Sequence, residues 1–194
     1  MDDITVKEAL PAFYKNYNLP PDGGVDDSSV KIELMQGVYM YIPNPDDRKK
    51  VVLKHDIHHL VTGYTGILKG ETEISAWELS TGCYSNWVAF TINTYGMMTG
   101  CPWNLSGLWK AWLRGKRTSN LYHKKYTDEQ LLNKKVSDLK KELGLHEENK
   151  QKANTLIAFL SFVGFLIFGT VFSIASFVLI PFAIVYSIII AIRK

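Results

Sequence analysis

Only two cysteines are present, Cys83 and Cys101, with no Cys-x-x-Cys pair between them. That excludes a zinc ribbon and a disulfide-stapled secreted fold, and it reads as two reduced, cytosol-side thiols. A secretory leader is not expected either. The opening MDDITVKEALPAF carries two acids at once and no basic head before a long apolar run, and it lacks the Arg-rich, acid-poor character of a transit peptide. The net charge is only +3 over 194 residues, so nucleic acid is not an expected partner. Repeats, low-complexity tracts and flavin, haem or nicotinamide motifs are lacking as well.

Two local absences say more. From Leu79 to Thr127 there is no Asp or Glu, while Lys110, Arg114, Lys116, Arg117, Lys124 and Lys125 fall inside that stretch. From Ala153 to Ile192 there is no charged residue of either sign, which places the segment in a bilayer. One straight helix of that length would measure roughly 60 Å, about twice a hydrocarbon core. A hairpin of two spans over residues 153–192 is therefore expected, turning among the small and polar residues Gly169 to Ser176. Lys150 and Lys152 on one flank and Arg193 and Lys194 on the other would hold both ends on the cytoplasmic side. A single segment kinked at Pro181 is the alternative. Residues 1–150 then form one helical domain, and the fold class is all-α.

Along that domain, ITVKEALPAFYKNY follows a possible N-cap at Asp2 or Asp3 and has helical apolar spacing, with Pro11 limiting its regularity. VKIELMQGVYMYIP alternates patchily and is a short strand or an extended linker. A helix start is written at Asn44-Pro45-Asp46-Asp47, with Asn44 as N-cap and acids in the first turn, and the helix should run to about Gly66. A second helix should open near Glu71 and continue to Met98, a third covers Leu105 to Lys116, and a fourth starts at the capping box TDEQ and stops at Gly144. Trp103, Trp109 and Trp112 beside basic residues are either a membrane-surface face or core packing.

His55 and His59 lie four residues apart on the expected helix, so their rings project from one face and two nitrogens can share a metal. Asp56 would supply an oxygen directly or orient a ligand histidine. His58 points elsewhere. Glu71 follows a loop with Gly63, Gly66 and Gly70 that would let the chain fold back and bring this carboxylate to the histidine face. Histidine pairs also occur on solvated helix faces, and it is the addition of Asp56 and Glu71 that points to metal. Two imidazoles with one or two carboxylates suit zinc, with manganese, iron or cobalt as alternatives. Glu78, two turns beyond Glu71, is the candidate catalytic acid or base.

The pattern His55-Asp56-x-x-His59, then Glu71 after eleven residues, resembles the signature of the coenzyme Q (ubiquinone) biosynthesis protein four family. GETEISAWE, which contains Glu71 and Glu78, and LKKELGL at its far end are similar to further family segments, so the resemblance spans roughly Gly37 to Leu145. It implies a helical, membrane-associated protein that binds a divalent metal through His55, Asp56, His59 and Glu71. It also implies a part in replacing the carboxyl of a prenylated hydroxybenzoate ring by a hydroxyl, or a scaffold role organising other biosynthetic enzymes. The 153–192 segment departs from the family core. A prenylated aromatic or quinone-like lipid is the expected partner, and a membrane-bound hydrolase is the weaker third reading.

Overall fold

The computed structural model describes residues 3–27, 29–35, 38–44, 46–146 and 153–192. Asp2, Pro45, Lys150, Lys152, Arg193 and Lys194, which carry some of the expectations above, lie outside it. The architecture is helical, with one two-stranded antiparallel hairpin near the start. Helix α1 covers Val6–Asn16; strands β1 (Ser29–Met35) and β2 (Val38–Pro43) pair from Ser29 opposite Pro43 to Met35 opposite Val38; helix α2 covers Asp46–Thr62 and α3 Leu68–Thr81. Helices α4 (Trp87–Gly100), α5 (Leu105–Gly115), α6 (Asp128–Leu132), α7 (Val136–Glu142) and α8 (Thr155–Ile192) complete the order.

Helix α3 is central. Ile74, Ala76, Trp77, Glu78 and Leu79 are all fully buried on it, because α2, α4 and α5 each pack against it. Helix α5 supplies a regular stripe of Leu108, Ala111, Trp112 and Gly115 at the spacing of a helix face. Burial of Leu108 and Trp112 contributes about 1.5–3 kcal/mol each. The helices approach closely where residues are small: a Cβ added to Gly100 would stand 2.7 Å from Thr72 Cβ.

The long second helix expected from Glu71 to Met98 is two helices. Gly82, at φ +91°, takes the left-handed conformation and its N–H caps the Glu78 and Leu79 carbonyls. One 3-10 turn, Cys83–Ser85, follows, and Asn86 Oδ1 then accepts the N–H groups of Val88 and Ala89 to start α4. An uncharged run hid a glycine C-cap followed by an asparagine N-cap. Gly82→Ala is expected to cost about 1–2 kcal/mol in that left-handed position, read by circular dichroism as a fall of roughly 2–8 °C in thermal midpoint. An unchanged midpoint would show that the break is not set there.

Other boundaries moved for similar local reasons. Helix α1 is capped by Thr5, in a reciprocal box with Glu8, and not by Asp3. Ahead of α2, Asn44 Nδ2 donates to the carbonyls of Gly24 and Asp27 and its Oδ1 accepts from Arg48. The Thr127 capping box is present with Gln130. That helix breaks after Leu132 so that Val6 N–H can reach the Lys134 carbonyl and Val136 N–H the Ile4 carbonyl. Gly144, at φ +77°, ends the segment that follows.

The expected transmembrane hairpin is corrected to a single helix of 38 residues. No turn forms at Gly169–Ser176, because the polar side chains there do not open the ladder. The Thr170 hydroxyl donates to the Leu166 carbonyl and the Ser176 hydroxyl to the Phe172 carbonyl, bonds that leave a helix in apolar surroundings satisfied. The first half of α8 lies on the domain: Phe159 and Phe162 meet Trp109, Phe162 and Phe165 meet Trp112, Phe165 and Phe168 meet Phe90, and Phe172 meets Tyr95. Trp112 is therefore core, not membrane-surface, while Trp103 is exposed. Thr155–Val178 is long and apolar enough to cross a membrane.

Candidate metal centre

The third and fourth turns of α2 carry His55, Asp56, His58 and His59, and two structures behind them decide which way each one works. After Thr62 the chain turns at Gly63, φ +78°, where a side chain would be strained. The turn returns the Tyr64 carbonyl to accept the His59 Nδ1–H at 2.9 Å. On the other side, Glu78 Oε1 accepts the His55 Nδ1–H at 3.0 Å. Both rings thus have Nδ1 committed, and the two Nε2 atoms face each other 3.2 Å apart. Held Nδ1–H groups are what fix imidazoles as metal ligands.

Glu71, in the first turn of α3, completes the group. Its Oε1 lies 3.2 Å from His59 Nε2 and its Oε2 3.3 Å from His55 Nε2. An ion about 2.0–2.1 Å from each donor in tetrahedral array would hold the donors about 3.3 Å apart, which the two Nε2 atoms match at 3.2 Å, with one Glu71 oxygen beside each of them. His55, His59 and Glu71 could hold a metal ion. The His59 side chain is 1 % exposed, His55 24 % and Glu71 41 %. The group is closed behind His59 and open beside Glu71, which leaves one side for an outside ligand.

The structure does not bring Asp56 to these three. Its Oδ2 accepts the Tyr14 hydroxyl at 2.8 Å, and Gly23 stands so close that a Cβ there would lie 2.7 Å from that oxygen. Burial pushes its carboxyl up from the ordinary range, against the pull of His55. Asp56 braces α2 against α1, while its charge still acts on the site from one residue away.

Glu78 is also placed differently from the expectation. It is fully buried, with Oε1 accepting from both His55 and His58 and Oε2 accepting the Tyr122 hydroxyl at 3.0 Å and the Asn93 amide. No lone pair is left facing the opening, so the catalytic acid or base role is corrected to that of a residue positioning His55. Burial would raise its carboxyl, but His55 and His58 outweigh that and hold it well below the usual range. Glu71 is lowered in the same sense: burial opposes, and His59 and His55 prevail. For His55, burial opposes the charged form, yet Glu78 and Glu71 push its pKa well above the ordinary imidazole value.

His58, set aside as a ligand, turns out to hold Glu78 in place. Its Nε2 accepts the Leu121 N–H at 2.9 Å, so Nδ1 carries the proton and donates it to Glu78 Oε1 at 2.6 Å. Burial pushes its pKa down, consistent with the neutral ring. Tyr14, Asn93 and Tyr122 were not visible as site residues, since each reaches its partner from another element with no local spacing signal. Comparison with family models, curated proteins and solved structures found no match to this chain.

Proposed function

We propose that this chain is a metal-dependent, membrane-anchored protein of ubiquinone or related prenyl-quinone biosynthesis that assists oxidative decarboxylation of a prenylated hydroxybenzoate ring. One observation carries the reading: two Nε2 atoms and a carboxylate converge at 3.2–3.3 Å, each imidazole fixed by an Nδ1–H bond, beside an opening at Glu71. The resemblance of His55-Asp56-x-x-His59 and Glu71 to the coenzyme Q biosynthesis protein four family supplies the substrate class. Zinc suits the donors best, with manganese, iron or cobalt as alternatives.

Bound there, a divalent metal would engage the ring carboxylate or a neighbouring oxygen and draw off negative charge as the ring loses carbon dioxide. The chain's own part is to hold His55 through Glu78 and His59 through Tyr64, and to exclude water behind them with Phe13, whose ring lies 5.2 Å from that of His59. The carboxyl carbon leaves as carbon dioxide and a hydroxyl takes its place, with one dioxygen and one water consumed and hydrogen peroxide released, so that dioxygen takes up the two electrons. A substrate with a polyprenyl tail resides in the bilayer, and α8 keeps the domain at that surface.

Purified full-length protein should carry one divalent metal per chain by elemental analysis and should release carbon dioxide from a prenylated hydroxybenzoate under air. Glu71→Gln should lose turnover while keeping its helical circular dichroism. Because the same three residues join α2 to α3, a scaffold that uses metal only to fix two helices would instead lose fold and partner binding together. Metal without turnover, accompanied by that joint loss, would establish the scaffold and overturn the enzyme.

A further inference from the structure

A groove of about 320 Å³ lies where α8 crosses α4 and α5, the size of a small-molecule site. Tyr84, Phe90, Trp112 and Phe168 wall it. Gly164 leaves it open, since a Cβ there would meet nothing within 4 Å. One charge borders it: Lys116 Nζ stands 4.9 Å from the Trp112 ring centroid and 3.4 Å from the Ser80 carbonyl oxygen. Among the described residues Lys116 has no carboxylate partner, and none is available nearby in sequence, because Leu79 to Thr127 holds no acid.

The same helix that lines the groove identifies what can reach it. Phe172 meets Tyr95 of α4, and the groove-lining residues Gly164, Phe165 and Phe168 lie inside Thr155–Val178, the stretch of α8 long and apolar enough to cross a membrane. The groove therefore lies along the apolar helix itself, where a bilayer lipid can reach it. A soluble anion would leave its aromatic walls in water. A neutral lipid would leave the lysine without a counter-charge.

We propose that the groove between α8, α4 and α5 binds an anionic phospholipid of the adjacent leaflet, an acyl chain lying along Gly164 and Phe168 and the headgroup phosphate pairing with Lys116. This site is separate from the metal centre and does not depend on it. Helix α8 thereby acts twice, as a membrane span and, through its docked half with α4 and α5, as one wall of a lipid site that holds the domain against the bilayer.

The test is native mass spectrometry of the full chain in mild detergent, supplied with palmitoyl-oleoyl phosphatidylglycerol or phosphatidylcholine. One phosphatidylglycerol per chain should be retained, with phosphatidylcholine held at least about fivefold more weakly, the effect of one lysine near an anionic headgroup. Lys116→Gln should remove that preference, Lys125→Gln should keep it, and Gly164→Leu should abolish retention of both lipids with metal content unchanged. Equal retention of the two lipids by the wild type, or unaltered phosphatidylglycerol retention in Lys116→Gln, overturns the proposal. Should Gly164→Leu fail to fold, the lipid pair and Lys116→Gln still decide it.

Discussion

His59→Ala and Glu71→Gln should each reduce bound divalent metal from one per chain to near zero, with affinity falling more than about 100-fold. Supporting partners of ligands already cost 10–100-fold when removed, and these two are donors themselves. The expectation follows from the two Nε2 atoms 3.2 Å apart and the Glu71 carboxylate, which sets one oxygen 3.2 Å from His59 and the other 3.3 Å from His55; either variant removes a donor. Asp56→Asn provides the contrast. Its oxygen is occupied by Tyr14, so that variant should keep metal and lose some stability. Equal metal loss in Asp56→Asn would return Asp56 to the ligand set.

The same geometry sets a pH dependence. In the metal-free protein, two Nε2 atoms facing each other need a proton between them, and Glu78 and Glu71 hold it on His55 well above the ordinary imidazole value of 6.5 against the opposing effect of burial. A metal has to displace that proton. Affinity should thus rise about tenfold per pH unit up to the raised pKa and level off above it, measured by competition with a chromophoric chelator. A flat profile from pH 5 to 8 would mean that His55 is not a ligand.

What the sequence disclosed depended on the range of each interaction. His55 and His59 share a helix face at a spacing set by the helix itself, and Glu71 follows from a glycine-rich return, so the three donors were readable. The roles of Asp56 and Glu78 were not, because they are decided by Tyr14 and by His58, Asn93 and Tyr122 on other elements. The same division holds for the fold. Capping at Thr127 and the stop at Gly144 are local signals and were legible. The break at Gly82 lay inside an apolar run whose periodicity outweighed it. Length alone suggested that residues 153–192 should turn back; instead α8 runs on as one helix and lays its first half against Trp109, Trp112 and Phe90.

Glu78→Ala should be the most damaging single change to stability. It strands the Nδ1–H groups of His55 and His58, the Tyr122 hydroxyl and the Asn93 amide around a position with no solvent access. Breaking one side of a buried charged group costs about 3–5 kcal/mol, or roughly 6–20 °C in thermal midpoint for a chain of this size. The sign with pH is fixed as well. The folded carboxyl titrates well below its ordinary value of 4.5, so its contribution is present above that pH and fades as pH falls through the lowered folded value. The gap between wild type and Glu78→Ala should be widest above pH 4.5 and narrow in acid. Metal affinity should also drop about 10–100-fold, because His55 loses the acceptor that aims its Nε2. Glu78→Gln separates the two effects: the amide oxygen can still accept from one histidine, so stability should recover in part, while the lost charge leaves metal binding weakened. If both variants bound metal like the wild type, His55 would be oriented by packing alone, and Glu78 would be a structural acid with no part in the site.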